Sequence, residues 1–410
     1  MDKKTCCSEN NPFFIDYPGR IRSIQEAMAR DGFDVYLGSR LRTISWTTDA
    51  FCPWRSYIVI PREGVPTLFT FVIDASRVAD DTWLPEDNVR GYAPLGGQDQ
   101  ITQISDFILY ALKIKKGRLA YETGLSNYTP EGNLSQYEYE MFTAALPDFE
   151  FVNAHIIVDK LSLIKDEGTV NRFRQASRYT DIGHETVRSA LVDGGWRGKT
   201  ETEIAGIAEH AMRQAGSEWA WSFTAGNEIA SGYRTGYAGG ACTPATRREL
   251  QPGDSLMVDL HSMYRLGLGD YAYNYLIAPV TDRMRWHARN YLDVVRMCLD
   301  NYKEGATPLG LANMVMAMAE ERGFVEYVVP GFEHGIGMMG DEWRIGLNTG
   351  PIKYWTDPNH SYRAGEMLIC AVQYACPDEN IGFRYECPIL IRENDCELMA
   401  RFPLDVEEIE

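Results

Sequence analysis

Two aspartates eleven residues apart are the first side chains whose type and spacing suggest chemistry. Asp259 interrupts the apolar run SLMVDL (255–260), and Asp270 follows the turn-like segment MYRLGLG (263–269). Eleven residues allow one β-hairpin to return and to place the two carboxylates opposite each other. Carboxylates in a partly dry site are costly without a compensating cation. A metal ion is one interpretation, and a turn residue beside a hydrogen-bonded strand residue is the other.

A histidine and a glutamate further along the chain could complete such a site. His334 lies between glycines in PGFEHGIGMMGDEWRIG (330–346), which keeps the backbone slim where another group approaches closely. Glu386 stands at the threshold of the apolar strand pattern in RYECPILI (384–391). Neutral imidazole is the commonest protein metal ligand. Two Asp, one His and one Glu supply the oxygen and nitrogen ligands that suit Zn, Mn or Fe.

The elements that must position these residues fall into two groups. In the first group, periodicity predicts helices over 18–31 and 101–116 and strands over 35–38, 56–60, 66–73 and 118–122. This alternation predicts an α/β domain over residues 1–160. In the second group, it predicts helices over 161–191, 201–216, 284–304 and 308–323 and strands over 255–260, 273–280, 367–375 and 387–392. Helices flanking antiparallel strands predict an α+β domain over residues 161–410.

Composition narrows the classes of partner and compartment. The chain has 40 Lys plus Arg against 58 Asp plus Glu, a net charge of -18, which disfavours nucleic-acid and membrane-surface binding. The sequence contains no apolar run long enough for a membrane helix and no apolar segment behind its first lysines. Nine cysteines without a CxxC pair favour a reducing compartment. We therefore expect a cytoplasmic protein that binds neither nucleic acid nor a membrane surface.

The order Asp, Asp, His in an HGIG motif and closing Glu resembles the pita-bread metallohydrolases. These include prolidase, proline and methionine aminopeptidases, creatinase and the pita-bread dimethylsulfoniopropionate lyases. The segments 164–181 and 226–254 are similar to the helix and the substrate-side loop that precede the first metal strand. The resemblance implies a pita-bread catalytic domain of α+β class behind a creatinase-type α/β N-terminal domain. It also implies a divalent metal (Zn, Mn or Fe) held by Asp259, Asp270, His334 and Glu386.

Several positions depart from the family pattern. Ala371 stands where the peptidases carry a fourth ligand, a Glu, and Gln373 two residues later faces the same side. Cys242 replaces a His before the PxT element, and Asp341 replaces a second catalytic His. Cys387 stands where creatinase has a His, so the resemblance assigns it to substrate binding. The usual dinuclear site is incomplete, which implies one ion or a metal-free site.

Two branches of the family account for these departures differently. Creatinase lacks the metal and holds its substrate's carboxylate with arginines. The resemblance implies that Trp54 and Arg55 reach into the site of a partner subunit in a homodimer, with Arg344 as a second clamp. Without metal, His334 and Cys242 would share the catalysis with these arginines.

The lyases share other features with this chain. Their loop carries a Cys near the position of Cys242, and their His motif continues into DEW, as GDEW (340–343) does here. The resemblance implies that Asp341 is the general base removing an α-proton. It also implies that His261 occupies the place of an extra Asp ligand.

Three functional hypotheses follow. The first is a hydrolase cleaving a C–N bond in a small carboxylate-bearing substrate, such as a dipeptide or an amino or guanidino acid derivative, with metal-activated water. Arg55 and Arg344 would orient the substrate carboxylate. The second is a metal-dependent lyase acting on a small zwitterion such as dimethylsulfoniopropionate, with Asp341 as base. The third is a catalytically inactive binding module, against which the absence of charged tails argues.

Overall fold

The computed structural model describes residues 10–94, 99–124, 131–218, 226–237, 243–342 and 360–410, without the side chain of Asp341. The chain divides into two compact units, Met1–Leu163 and Ile164–Glu410. This division lies three residues beyond the boundary expected from the sequence. No helix in the described part of the chain is both long and apolar enough to cross a membrane.

The first unit is a mixed sheet with helices around it. Its helices are α1 (Tyr17–Asp31), α2 (Leu41–Thr48), α3 (Ala75–Asp81), α4 (Gln100–Asp106), α5 (Gln136–Ala145) and α6 (Ile156–Leu161). Its strands are β1 (Val35–Gly38), β2 (Tyr57–Pro61), β3 (Thr67–Phe71), β4 (Val89–Tyr92), β5 (Gly117–Tyr121) and β6 (Phe149–Asn153). The strand order is β4-β3-β2-β1-β5-β6, with parallel pairs at both edges. The α/β character of this unit agrees with the alternation in the sequence.

Apolar strands explain why this sheet forms. Leu37, Val59 and Phe69 lie on neighbouring strands and belong to one fully buried cluster. Ile104 of α4 and Phe142 of α5 belong to the same cluster, so these helices cover the sheet. Burial of each such side chain stabilises the unit by about 1.5–3 kcal/mol relative to exposure.

The described residues of the second unit form four α-helices and two sheets. Its helices are α7 (Glu167–Leu191), α8 (Glu201–Ala215), α9 (Asp282–Asn301) and α10 (Pro308–Glu321). Its strands are β7 (Glu228–Ser231), β8 (Ser255–Tyr264), β9 (Gly267–Ile277), β10 (Val328–Val329), β11 (Glu333–Gly337), β12 (Gly340–Glu342), β13 (Met367–Cys376), β14 (Ile381–Ile391), β15 (Cys396–Leu398) and β16 (Val406–Ile409). One sheet has the order β16-β9-β8-β7 and the other β12-β11-β13-β14-β15, with β10 beside β13. This α+β arrangement is the class that the sequence predicts.

Helix α7 packs closely onto β9 because two residues there lack side chains. An added Cβ at Gly269 would lie 2.6 Å from the carbonyl carbon of Ala176, and one at Gly267 would lie 2.8 Å from Cβ of Arg172. The expectation that these glycines form a turn is wrong, since both lie inside β9. Their function is to let the helix support the strand that carries Asp270.

Candidate metal centre

The β8–β9 hairpin positions three polar side chains on one face. Its turn consists of Arg265 and Leu266, both with positive φ (49° and 65°), which matches the twist that two-residue hairpin turns require. The register places His261 opposite Asp270 and Asp259 opposite Ala272. The two carboxylates are therefore diagonal neighbours rather than directly opposed, because the turn is two residues long. Asp259 and His261 share a face since side chains alternate along a strand.

Strand β14 brings the second carboxylate-bearing segment to this face. Glu386 lies in the middle of β14, so its expected position at the threshold of a strand is wrong. Ala371 of β13 lies directly opposite Glu386, and Gln373 lies opposite Arg384. The position where the family carries another glutamate is thus beside the cluster but offers only a methyl group.

Four side chains meet at this point. Asp259, His261, Asp270 and Glu386 each place a potential ligand atom within 4.8 Å of the others. All four are buried, with at most 3% of any residue exposed. Neither carboxylate oxygen of Asp259 has a hydrogen bond among the described residues. A buried carboxylate left in this state is costly, and a divalent cation offsets that cost.

Arg384 links the carboxylates from the side. Its Nε lies 3.2 Å from Oδ2 of Asp259, its Nη1 lies 3.3 Å from Oε2 of Glu228, and its Nη2 donates to Glu386. Glu228 of β7 lies directly opposite Asp259 of β8, which explains why both reach the same guanidinium. The described part of the centre thus contains a buried cation of its own.

This surrounding charge sets opposite pKa directions for two carboxyls. Burial would raise the pKa of Glu386, but Arg384 and His334 outweigh it and hold that pKa well below its usual range. Burial and the nearby Glu386 raise the pKa of Asp259 well above its usual value, against the lowering effect of Arg384. Glu386 is therefore the permanently ionised member of the pair.

His261 has the orientation of a metal-binding histidine. Its Nδ1 lies 2.6 Å from the carbonyl oxygen of Gly226, and since that oxygen only accepts, Nδ1 carries the proton. Its Nε2 faces Oδ1 of Asp270 at 3.4 Å. A ligating imidazole typically donates its other N–H in this way. Burial lowers the pKa of His261, but Asp270 and Asp259 outweigh it and raise that pKa, so a cation binding at Nε2 would displace a proton.

His334 of β11 lies beside this cluster. Its Nε2 is 3.9 Å from Oε1 of Glu386, and its Nδ1 is 3.1 Å from the carbonyl oxygen of Gly335. It is buried, with 6% of the residue exposed. The structure thus brings the four ligands expected from the sequence into one region. His261 adds a fifth donor, a ring nitrogen.

The donor set fits one divalent ion. It contains carboxylate oxygens and imidazole nitrogens, which Zn, Mn and Fe accept. Two observations favour such an ion: the Asp259 carboxylate has no hydrogen bond with the described residues besides its 3.2 Å ion pair with Arg384, and Nε2 of His261 points inward.

Two other expected site residues have different surroundings in the structure. Arg55 binds Glu138 through two hydrogen bonds, Nε to Oε1 at 2.6 Å and Nη2 to Oε2 at 2.9 Å. Its guanidinium is thus paired with a carboxylate within the first unit, and its role as a substrate clamp stays a prediction. Trp54 is 51% exposed and contacts the ring of Phe71 at 5.6 Å.

Cys387 does not face the centre. It follows Glu386 in β14, so its side chain points to the opposite face of the sheet. Burial raises the pKa of its thiol to about 12, which keeps the thiol protonated. The substrate-binding role that the resemblance implies for Cys387 stays a prediction. Cys242, Arg344 and the side chain of Asp341 lie outside the described residues.

Sequence reasoning missed Arg384 and Glu228. Both are charged residues within apolar strand patterns, which is the signal that identified Asp259. Arg384 lies two residues before Glu386, a spacing that places both side chains on one face of a strand. That spacing could have identified Arg384, whereas the pairing of Glu228 depends on the register of β7.

Comparisons with known proteins agree with this arrangement. A family model described as metallopeptidase family M24 matches residues 171–393. The chain is 24% identical over 271 residues to an Xaa-Pro dipeptidase of Pyrococcus furiosus, covering 62% of this chain and 75% of the relative. It is 24% identical over 195 residues to an ectoine hydrolase of Halomonas elongata, covering 46% and 48%. An X-Pro aminopeptidase structure from Thermotoga maritima superposes with a TM-score of 0.77 at 20% identity, covering 95% and 99%.

The family match covers more than half of the chain, and the structural likeness confirms the pita-bread fold behind an N-terminal unit. The chain therefore belongs to metallopeptidase family M24 and is a pita-bread hydrolase.

Proposed function

We propose that this hydrolase cleaves a C–N bond in a small carboxylate-bearing substrate, a dipeptide or an amino or guanidino acid derivative, with one divalent metal ion. The observation that carries the proposal is the buried set Asp259, His261, Asp270 and Glu386, whose ligand atoms lie within 4.8 Å of one another. His334 borders this set. Zn, Mn or Fe is the expected ion.

The proposal of a single ion depends on β13. Ala371 provides no ligand opposite Glu386, so the β13 side of the centre lacks a carboxylate. Three of the four clustered donors instead lie on the β8–β9 hairpin. One ion on the hairpin side is therefore the stoichiometry that the donors support.

The protein groups have separate functions in this scheme. A bound divalent ion supplies Lewis acidity, which lowers the pKa of water and polarises a carbonyl. Arg384 keeps Glu386 ionised and fixes the Asp259 carboxylate. His334 carries an imidazole within 3.9 Å of Glu386, where it can accept or return a proton during C–N cleavage.

Names of relatives support the substrate class. The dipeptidase and the ectoine hydrolase of the comparison both bear names of C–N hydrolases. Carboxylate recognition by arginine would be bidentate. We assign it to Arg344 rather than to Arg55, because Arg55 is paired with Glu138.

A lyase reaction is the second candidate. The backbone of Asp341 pairs with Ile336 of β11, two residues beyond His334, so this residue approaches the same region. His261 within the cluster corresponds to the additional ligand that the lyase resemblance implies. In this scheme Asp341 removes an α-proton from a small zwitterion such as dimethylsulfoniopropionate, and Cys242 stays a further catalytic candidate.

The first experiment measures metal content by elemental mass spectrometry on protein purified without chelators. We expect Asp259→Asn to hold about one equivalent per chain less than the wild type, and the matched surface variant Asp282→Asn, whose side chain is fully exposed, to hold as much as the wild type. Metal-free protein that hydrolyses dipeptides, or an unchanged content in Asp259→Asn, would contradict the proposal.

The second experiment separates the two reactions. Xaa-Pro dipeptides, amino acid amides, guanidino acids and dimethylsulfoniopropionate are incubated in ¹⁸O-labelled water, and the products are analysed by mass spectrometry. Hydrolysis places the label in the new carboxylate of a dipeptide or amide, or in the urea released from a guanidino acid, whereas elimination gives an unlabelled alkene. Loss of turnover in Asp341→Asn with unchanged metal content would favour the lyase. Light scattering on the same samples tests the expected homodimer.

A further inference from the structure

A second cluster of potential ligands lies away from the centre described above. His287 belongs to the second turn of α9, Cys376 is the last residue of β13, and Glu379 ends the short turn that follows. Their ligand atoms all lie within 4.8 Å of one another. Cys376 is five residues from Ala371 along β13, a distance of about 17 Å in an extended strand. The cluster is therefore separate from the M24 centre.

The spacing between two of these groups is that of metal ligands. Nε2 of His287 lies 3.3 Å from Oε2 of Glu379. Nitrogen and oxygen ligands at 2.0–2.2 Å from a tetrahedral zinc ion are roughly 3.3 Å apart. The two groups have this separation although Nε2 of His287 makes no hydrogen bond with the described residues.

His287 is oriented with one nitrogen towards the cluster. Its side chain is fully buried, and its Nδ1 lies 2.8 Å from the hydroxyl of Tyr374. The rings of Trp286 and Tyr327 pack at 4.9 and 5.0 Å and fix the imidazole plane. An imidazole that is held through one ring nitrogen, with the other nitrogen facing the cluster, has the orientation of a metal ligand.

Glu379 is held in its ionised form. Arg283 donates to both of its oxygens, from Nη2 to Oε1 at 2.7 Å and from Nε to Oε2 at 3.0 Å. Hydrogen bonds from Arg283 lower the pKa of Glu379 to about 2, although burial opposes this. A carboxylate oxygen has a second lone pair, so Oε2 can accept from Arg283 and still face a cation.

Cys376 adds a soft ligand. It is buried, with 3% of the residue exposed, and it is a free thiol. Sulfur beside imidazole and carboxylate selects thiophilic divalent ions over Mg²⁺ or Ca²⁺.

We propose that His287, Cys376 and Glu379 form a site for one thiophilic divalent cation of the Zn²⁺ class. Binding forms a sulfur–metal bond at Cys376, and the thiol proton is released to solvent. Because the three residues come from α9, from β13 and from the turn before β14, the ion stabilises the strand pair that carries Glu386.

The test uses Co²⁺ as a probe on the complete protein. Thiolate-bound Co²⁺ absorbs in the near ultraviolet by charge transfer, whereas the described ligands of the M24 centre are oxygen and nitrogen atoms. We expect this band in the wild type, its loss in Cys376→Ser, and its retention in Cys396→Ser, a control at another free thiol. Glu379→Gln, at a partly exposed residue, provides a second variant with an intact thiol, in which we expect at least tenfold weaker Co²⁺ binding.

Zn²⁺ stoichiometry provides the second readout. Cys376→Ser should bind one equivalent fewer than the wild type, and Asp259→Asn should retain the thiolate band, which separates the two centres. Absence of a thiolate band in the wild type, or the same band in Cys376→Ser, would overturn the proposal and leave an ordinary Arg283–Glu379 ion pair.

Discussion

His261 lies directly opposite Asp270 across the β8–β9 hairpin, with its Nε2 3.4 Å from Oδ1. The proton on Nδ1 is fixed by the carbonyl of Gly226, so the unprotonated form of the ring presents its lone pair to the carboxylates. His261 adds an imidazole ligand on the hairpin, whereas Ala371 provides no carboxylate on β13. The candidate metal ligands therefore lie mainly on the hairpin.

Removal of this imidazole should weaken metal binding. We expect His261→Asn to lower the affinity for Zn²⁺ or Mn²⁺ by roughly ten- to hundredfold, measured by competition with a chromophoric chelator. His210→Asn, at an exposed position of α8, is the matched control and should bind as the wild type does. Equal affinities in the two variants would remove His261 from the ligand set.

Restoring the missing carboxylate should raise the metal stoichiometry. Ala371 lies opposite Glu386 on the same face of the sheet, so Ala371→Glu places an oxygen donor beside Glu386 and His334. We expect metal content to rise by about one equivalent per chain over the wild type, measured by elemental mass spectrometry. Ala371→Gln has the same size without the charge and should match the wild type. No rise in the Glu variant would show that the centre lacks room for a second ion.

Arg384 should be essential for the stability of the metal-free protein. Arg384→Met leaves Asp259, Glu228 and Glu386 buried without their cation, a loss that typically costs about 3–5 kcal/mol of unfolding free energy. Urea unfolding in the presence of a chelator measures it. Arg296→Met removes an exposed ion pair with Asp293 and should cost less than about 1 kcal/mol. Similar losses of unfolding free energy in both variants would contradict the proposal that Arg384 offsets the charge of these buried carboxylates.

His184 should make stability depend on pH. It is fully buried in α7, its Nε2 contacts the carbonyl of Tyr271, and burial lowers its pKa from 6.5 to about 4. The unfolded chain therefore binds the proton first as pH falls through 6.5 towards 4, and stability is lost in that window. At pH 5 this group alone costs about 2 kcal/mol relative to neutral pH.

The measurement compares urea unfolding at pH 7.5 and pH 5. His184→Gln lacks the titrating group, so its loss of stability between the two pH values should be smaller by about 2 kcal/mol. His210→Asn should keep the loss seen in the wild type. If His184→Gln shows the full loss, the pH dependence originates elsewhere.

The sequence predicts those site residues that interrupt an apolar pattern. Asp259 stands inside SLMVDL, and Glu386 stands inside an apolar strand, so both were identifiable from their neighbours. Their ligand roles remain predictions. The helices and most strands were also predictable, because periodicity reports local geometry. The bounds of the strands were less predictable, since β14 begins at Ile381, six residues before the expected start at 387.

Pairing between distant residues was not predictable. Whether Asp259 or His261 opposes Asp270 depends on a two-residue turn at Arg265 and Leu266, neither of which is a typical turn residue with positive φ. The engagement of Arg55 by Glu138 joins positions 83 residues apart. Such contacts depend on tertiary packing, which no local pattern encodes.

The short β8–β9 turn also limits how the length of this chain can vary through evolution. A single residue inserted within β9 before Asp270 would move that side chain to the opposite face, while Asp259 would stay in place. Homologous sequences that keep the centre should therefore preserve the number of residues between these two aspartates. Insertions are better tolerated in loops outside the hairpin, because they leave unchanged which side chains of β8 and β9 face the centre.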